Sequence, residues 1–124
     1  MNKSKISNAI IEMESKIDEM DAALDSANNR AANMTLLLVF SLINGLRNIA
    51  KEETVLTNTD QQKLLGCLDT AVRVITLIRI GVDNGDYRYA LIASSLLQYV
   101  IDDIRELVNE EKSKNRIEPD LFFF

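Results

Sequence analysis

The chain has no histidine, no tryptophan, one cysteine, one proline and four glycines. Each shortage excludes something. Without histidine the commonest general base and the commonest metal ligand are gone, and with them every histidine-dependent triad. One cysteine and no histidine also exclude the usual zinc sites. A lone thiol closes no internal disulfide, so the sequence points to a reducing compartment and a cytoplasmic location. That thiol, Cys67, sits in the apolar run Leu64-Leu65-Gly66-Cys67-Leu68, where a buried, inert cysteine is expected. The glycines are scattered, so neither a phosphate-cradling loop nor a dinucleotide fingerprint is present. Pro119 is the only proline, which leaves long stretches free to be helical.

Positive charge is also short. The net charge is −5 and the isoelectric point about 4.7, whereas a nucleic-acid binder carries a basic face, so no direct DNA or RNA binding is expected. Residues 83–124 hold nine acids against five bases. An acidic surface suits a basic partner protein. No leader is read at Met1-Asn2-Lys3-Ser4-Lys5-Ile6, because carboxylates follow at Glu12, Glu14, Asp18 and Glu19. The strongest apolar run, Met34 to Ile43, falls short of the ~20 residues of a membrane span, so no membrane insertion is expected.

What the chain does have is helical periodicity. Ile6, Ile10, Met13, Ile17, Met20 and Leu24 alternate steps of four and three, and the register continues through Ala27, Ala31, Met34 and Leu38. With polar residues between them, this is a coiled-coil-like heptad stripe. The six residues from Ile6 to Leu24 are therefore the expected self-association seam, a dimer being the simplest closed product. Either one helix runs unbroken to about Ala50 or, the favoured reading, a bend or short break falls near Ser26-Ala27-Asn28-Asn29-Arg30, where weak helix formers gather. Residues 34–50 are apolar in nearly every direction, which predicts a helix buried on most sides, central to the fold or shared with another subunit. After a loop at Thr54–Asn58, Thr59 and Gln62 fit a capping box, and a third helix follows to about Ile80 with Asp69 and Arg73 placed to pair. Gly81-Val82-Asp83-Asn84-Gly85-Asp86 reads as a turn, with Asp86 capping a fourth helix over 87–112. Its inward stripe is Ala90, Ser94, Leu97, Ile101, Ile104 and Val108. The expected fold is all-α: one domain over 1–112, an antiparallel bundle of about four helices, with a tail over 113–124.

Chemistry-bearing clusters are few. Asp102-Asp103 and Glu110-Glu111 are adjacent on a helix and point about 100° apart, so neither pair converges. Asp83-Asn84-Gly85-Asp86 lacks the spaced ligands and distal glutamate of a calcium loop. No catalytic residue, cofactor or metal is expected. Tyr87 is expected to cover one end of the core, with Arg88 and Tyr89 facing water.

The tail is the least ordinary segment. Leu121, Phe122, Phe123 and Phe124 cannot all be covered by one local helix face, and an aromatic left in water forgoes roughly 1.5–3 kcal/mol of burial. Either they fold back into a groove of their own bundle or they dock on a partner, and these four are the expected partner-binding residues. With Glu118 and Asp120 before them they resemble the partner-binding tails of bacterial single-strand-binding proteins over that short stretch. In size, acidity and helix content, and in the Gly85-Asp86 turn before an Ala-rich helix, the chain is similar to small secretion chaperones such as the flagellin chaperones, though no motif aligns. The residues thus predict a non-enzymatic interaction protein of chaperone, adaptor, immunity-protein or inhibitor type. It would bind another protein and form a homo-oligomer. The alternatives are an acidic decoy that occupies a nucleic-acid-binding enzyme and a coiled-coil assembly component.

Overall fold

A computed structural model describes residues 2–52 and 57–113. They form four helices, α1 (Asn2–Asp25), α2 (Asn29–Glu52), α3 (Asn58–Asp83) and α4 (Tyr87–Ser113). No strand occurs among the described residues. α1 packs on α2, α2 on α3, α3 on α4 and α4 back on α1, so the chain is an antiparallel four-helix bundle closed as a ring. The predicted fold class is what the chain adopts.

The core comes from one stripe per helix. Ile6, Met13, Ile17, Met20 and Leu24 of α1 meet Ile43 and Leu46 of α2, Leu64, Leu68 and Ile78 of α3, and Leu97 and Ile101 of α4, all nearly free of solvent. The inward stripe expected of α4 is buried throughout. On α3 Leu64, Leu68, Ala71, Ile75 and Ile78 are buried, while Leu65, Val72 and Leu77 are partly covered at the core's margin.

The short break expected between the first two segments is a complete chain reversal, and its hydrogen bonds explain why. Asn28 N–H donates to the Ala23 carbonyl (2.8 Å) and Ala27 N–H to the Leu24 carbonyl (3.1 Å). That six-to-one and five-to-two pair is a Schellman ending, which requires a left-handed residue at its turn. Ala27 supplies it, with φ 54°, the only non-glycine with positive φ among the described residues. Asn28 then starts the next helix, its side-chain oxygen accepting from Ala31 N–H at 3.1 Å. The α3–α4 turn repeats the device. Asp86 N–H donates to Gly81 (2.8 Å), Gly85 N–H to Val82 (3.1 Å), and Asp86 Oδ1 accepts from Tyr89 N–H (3.1 Å). Here glycine, at φ 69°, takes the left-handed place. Both turns lie at one end of the bundle and are tied together. Asn29 Nδ2 donates to the Val82 carbonyl and to the Tyr87 hydroxyl, each at 3.1 Å.

Two capping and pairing expectations are corrected. The N-cap of α3 is Thr57, whose side chain accepts from Asp60 N–H (3.1 Å), two residues before the expected Thr59. The helix starts earlier because Gln61 is drawn to the end of α2, donating to the Ala50 carbonyl at 2.6 Å. Asp69 pairs with Arg47 on α2 rather than with Arg73 on its own helix, since the α2–α3 contact brings the guanidinium to it.

Candidate interaction site

The six residues of the α1 stripe are 0–3% exposed. They pack against their own chain, so the stripe serves the bundle's core and offers no free seam. A copy could reach it only by displacing α2 or α4. The reading of that stripe as a self-association surface is therefore corrected. A narrow stripe of two apolar residues per heptad satisfies an antiparallel bundle as well as a coiled-coil dimer. The register also stops at Leu24. Met34 and Leu38, which continue it in sequence, lie beyond the reversal and face outward at 58% and 46% exposure. The tail residues Leu121, Phe122, Phe123 and Phe124 lie outside the described residues.

α2 departs most from expectation. Its inward stripe is Ala32, Thr35, Leu36, Val39, Ile43, Leu46 and Ala50, one ordinary face. Met34, Leu37, Leu38 and Phe40 are exposed rather than buried on most sides, because a helix in a ring of four has only about one side inward. By length and composition α2 is apolar enough to cross a membrane, and about a third of that apolar window is buried in the bundle. Leu37 and Phe40 form one wall of a groove of about 570 Å³ between α2 and α3. Ile75 and Ile80 form the other, with Leu36 at the base. Arg79 and Asp83 stand at the groove's edge, Nε to Oδ2 3.9 Å apart. Leu37 leads outward to Met34 and Leu38, which extend the apolar surface along the free side of the helix.

A second exposed stripe runs down α4. Tyr89, Ile92, Leu96 and Tyr99 are spaced three, four and three, and are 41–69% exposed. The 3-4-3 spacing was visible in the sequence, but the inward stripe beginning at Ala90 lies beside it and accounts for the helix by itself. The side of α4 facing α1 is fixed by polar ties. Ser94 Oγ donates to Asp21 Oδ1 at 2.5 Å, and Arg105 pairs with Glu14. The exposed stripe therefore lies on the other flank, toward α3. Tyr87 covers the core's end, and Tyr89 and Arg88 face solvent, as expected.

The remaining titratable groups offer little chemistry. Cys67 is partly rather than fully buried, in a shallow cleft of about 420 Å³ shared with Lys63, Thr70, Asp103 and Glu106. Burial, and then the nearby Asp103 carboxylate, push its thiol up from the usual range, which keeps it protonated and unreactive. Asp21 is also pushed up, chiefly by burial. The Ser94 hydrogen bond opposes that shift, and the neighbouring Asp18 and Asp25 add to it. Among the described residues no group of three or more potential metal ligands converges. No protein-family model, curated protein or solved structure matches the chain.

Proposed function

We propose that the chain works by binding another protein rather than by catalysis, and that the α2–α3 groove is where the partner docks. The observation that carries this is the open apolar groove itself, walled by Leu37, Phe40, Ile75 and Ile80 and continued outward by the exposed Met34 and Leu38. Exposed apolar surface that continues along a groove is a common mark of a binding site. Its shape, a trough between two antiparallel helices, suits the apolar face of an amphipathic helix with anchors at i, i+3 or i+4, and i+7. The surrounding charge selects the flanks. With a net charge of −5, the chain draws lysine- and arginine-flanked segments and repels acidic ones.

The test uses synthetic amphipathic helical peptides with basic flanks, titrated by fluorescence anisotropy. Wild type should bind at micromolar affinity, and Phe40→Asp should lose that binding with little change in melting temperature. Equal binding by wild type and Phe40→Asp would remove the groove from the account. A second reading follows from the apolar length of α2: that its outer face meets a lipid surface. Sedimentation with neutral and anionic vesicles separates the two, since the peptide-binding reading expects the protein to stay in the supernatant.

A further inference from the structure

The exposed stripe on α4 is self-complementary, and we infer that it docks a second copy of the same chain, antiparallel, about a two-fold axis near Ser95. The inference stands apart from the α2–α3 groove, because it uses different residues on the other flank of α3. Tyr89, Ile92, Leu96 and Tyr99 hold the a and d positions of a heptad frame, and all four are exposed. In an antiparallel pair they layer as Tyr89 on Tyr99 of the second copy and Ile92 on its Leu96, each layer repeated by the two-fold. Aromatics stack at the outer layers and aliphatics meet at the centre.

The charges beside the stripe set the direction. Arg88, Ser95 and Asp102 stand seven residues apart along its outer edge and are exposed. Antiparallel packing brings Arg88 opposite Asp102 of the second copy, twice, with the two Ser95 hydroxyls at the axis. In a parallel pair this edge would instead meet the second copy's Ala93 and Val100, which offer Arg88 and Asp102 no opposite charge. Among the described residues Arg88 makes no ion pair. Asp102 accepts only solvent-exposed bonds on its own helix, from Gln98 at 3.2 Å and Arg105 at 3.3 Å. It has lone pairs left for a guanidinium. On the opposite edge Ala93 is buried and Val100 partly buried against the chain's own core, and the exposed carboxylates Asp86 and Asp103 bound the contact at its two ends. Four side chains per copy fall well short of the roughly 800 Å² each partner buries in a standard interface, so the dimer should dissociate in the micromolar range.

Sedimentation equilibrium across micromolar concentrations tests this on the full chain. Wild type should pass from monomer to dimer, and Leu96→Asp should stay monomeric with an unchanged melting curve, its side chain being 46% exposed. The sharper test is electrostatic. Arg88→Asp alone and Asp102→Arg alone should each weaken self-association roughly tenfold, as two attractions become two repulsions of a few tenths of a kcal/mol apiece. Mixed together, the two variants should form a heterodimer at wild-type affinity, because both facing pairs are then opposite in charge. The double variant should dimerise on its own. A wild type that stays monomeric would overturn the inference, and if deletion of residues 114–124 then yields a dimer, that segment is the occupant instead. A dimer that survives Leu96→Asp, or single-charge variants that fail to rescue each other, would overturn it equally.

Discussion

Asp21 shows how one polar residue can be retained at a cost. It lies between α1 and α4, accepts from the almost fully buried Ser94, and is desolvated enough that its carboxyl titrates above the ordinary aspartate range. A carboxyl with a raised folded-state pKa favours the fold only while protonated. Its contribution is fully present below the unfolded-state pKa and is lost as pH rises through the higher folded-state value. At neutral pH the ionised group therefore opposes folding. Asp21→Asn keeps an acceptor for Ser94 and removes the charge, so it should raise the melting temperature at pH 7. The advantage should shrink as pH falls through the carboxylate range, which thermal melts at a series of pH values would show. A variant less stable than wild type at pH 7 would mean that the ionised carboxylate strengthens the Ser94 bond more than burial penalises it. The apolar core gives the opposite kind of residue. Leu68 and Leu97 are wholly buried, and alanine at either should cost roughly 2–5 kcal/mol by chemical denaturation.

At the scale of elements, the two left-handed turn positions make a matched comparison within one chain. Gly85 sits at φ 69° and Ala27 at φ 54° in the same hydrogen-bonded setting. A left-handed non-glycine residue costs about 1–2 kcal/mol, and glycine's greater freedom in the unfolded chain costs about 0.5–1 kcal/mol. The strain outweighs the entropy, so Ala27→Gly should stabilise by roughly 0.5–1 kcal/mol in denaturant titrations. Asn28→Ala should cost about 1 kcal/mol by removing the N-cap of α2. The same turns mark what could be read in advance. Gly85-Asp86 announces its reversal through glycine in the left-handed place and an aspartate cap. Ser26-Ala27-Asn28 hides an identical reversal behind an alanine. An apolar register that runs unbroken from Leu24 to Met34 made it look like a continuing face. The inward stripes of α1, α3 and α4 were legible because each follows one period over a whole helix. The surplus apolar residues of α2 and the second stripe of α4 were not, because a periodic pattern fixes one face as core and leaves the others unassigned. Whether Leu37 points into a neighbour or into a groove depends on how many helices surround it.

At the scale of the whole molecule, the two proposed surfaces lie on opposite flanks of α3, and their geometry makes a joint prediction. A two-fold through the α4 stripe leaves both α2–α3 grooves facing away from the axis and open. Peptide should therefore bind the dimer at one site per chain, and calorimetry should give that ratio both below and above the dimer dissociation constant. Phe40→Asp should remove peptide binding and leave the sedimentation behaviour of wild type. Leu96→Asp should do the reverse, keeping peptide affinity while abolishing the dimer. Nothing shared links the two sets of residues except the rigid core of α3, whose Leu68, Ala71 and Ile78 are packed on their own account. The combined variant should accordingly show the sum of the two single defects, as independent sites do. A dimer that binds only one peptide, or a peptide that dissociates the dimer, would show that the two surfaces overlap. The second copy would then lie across α3 rather than along α4.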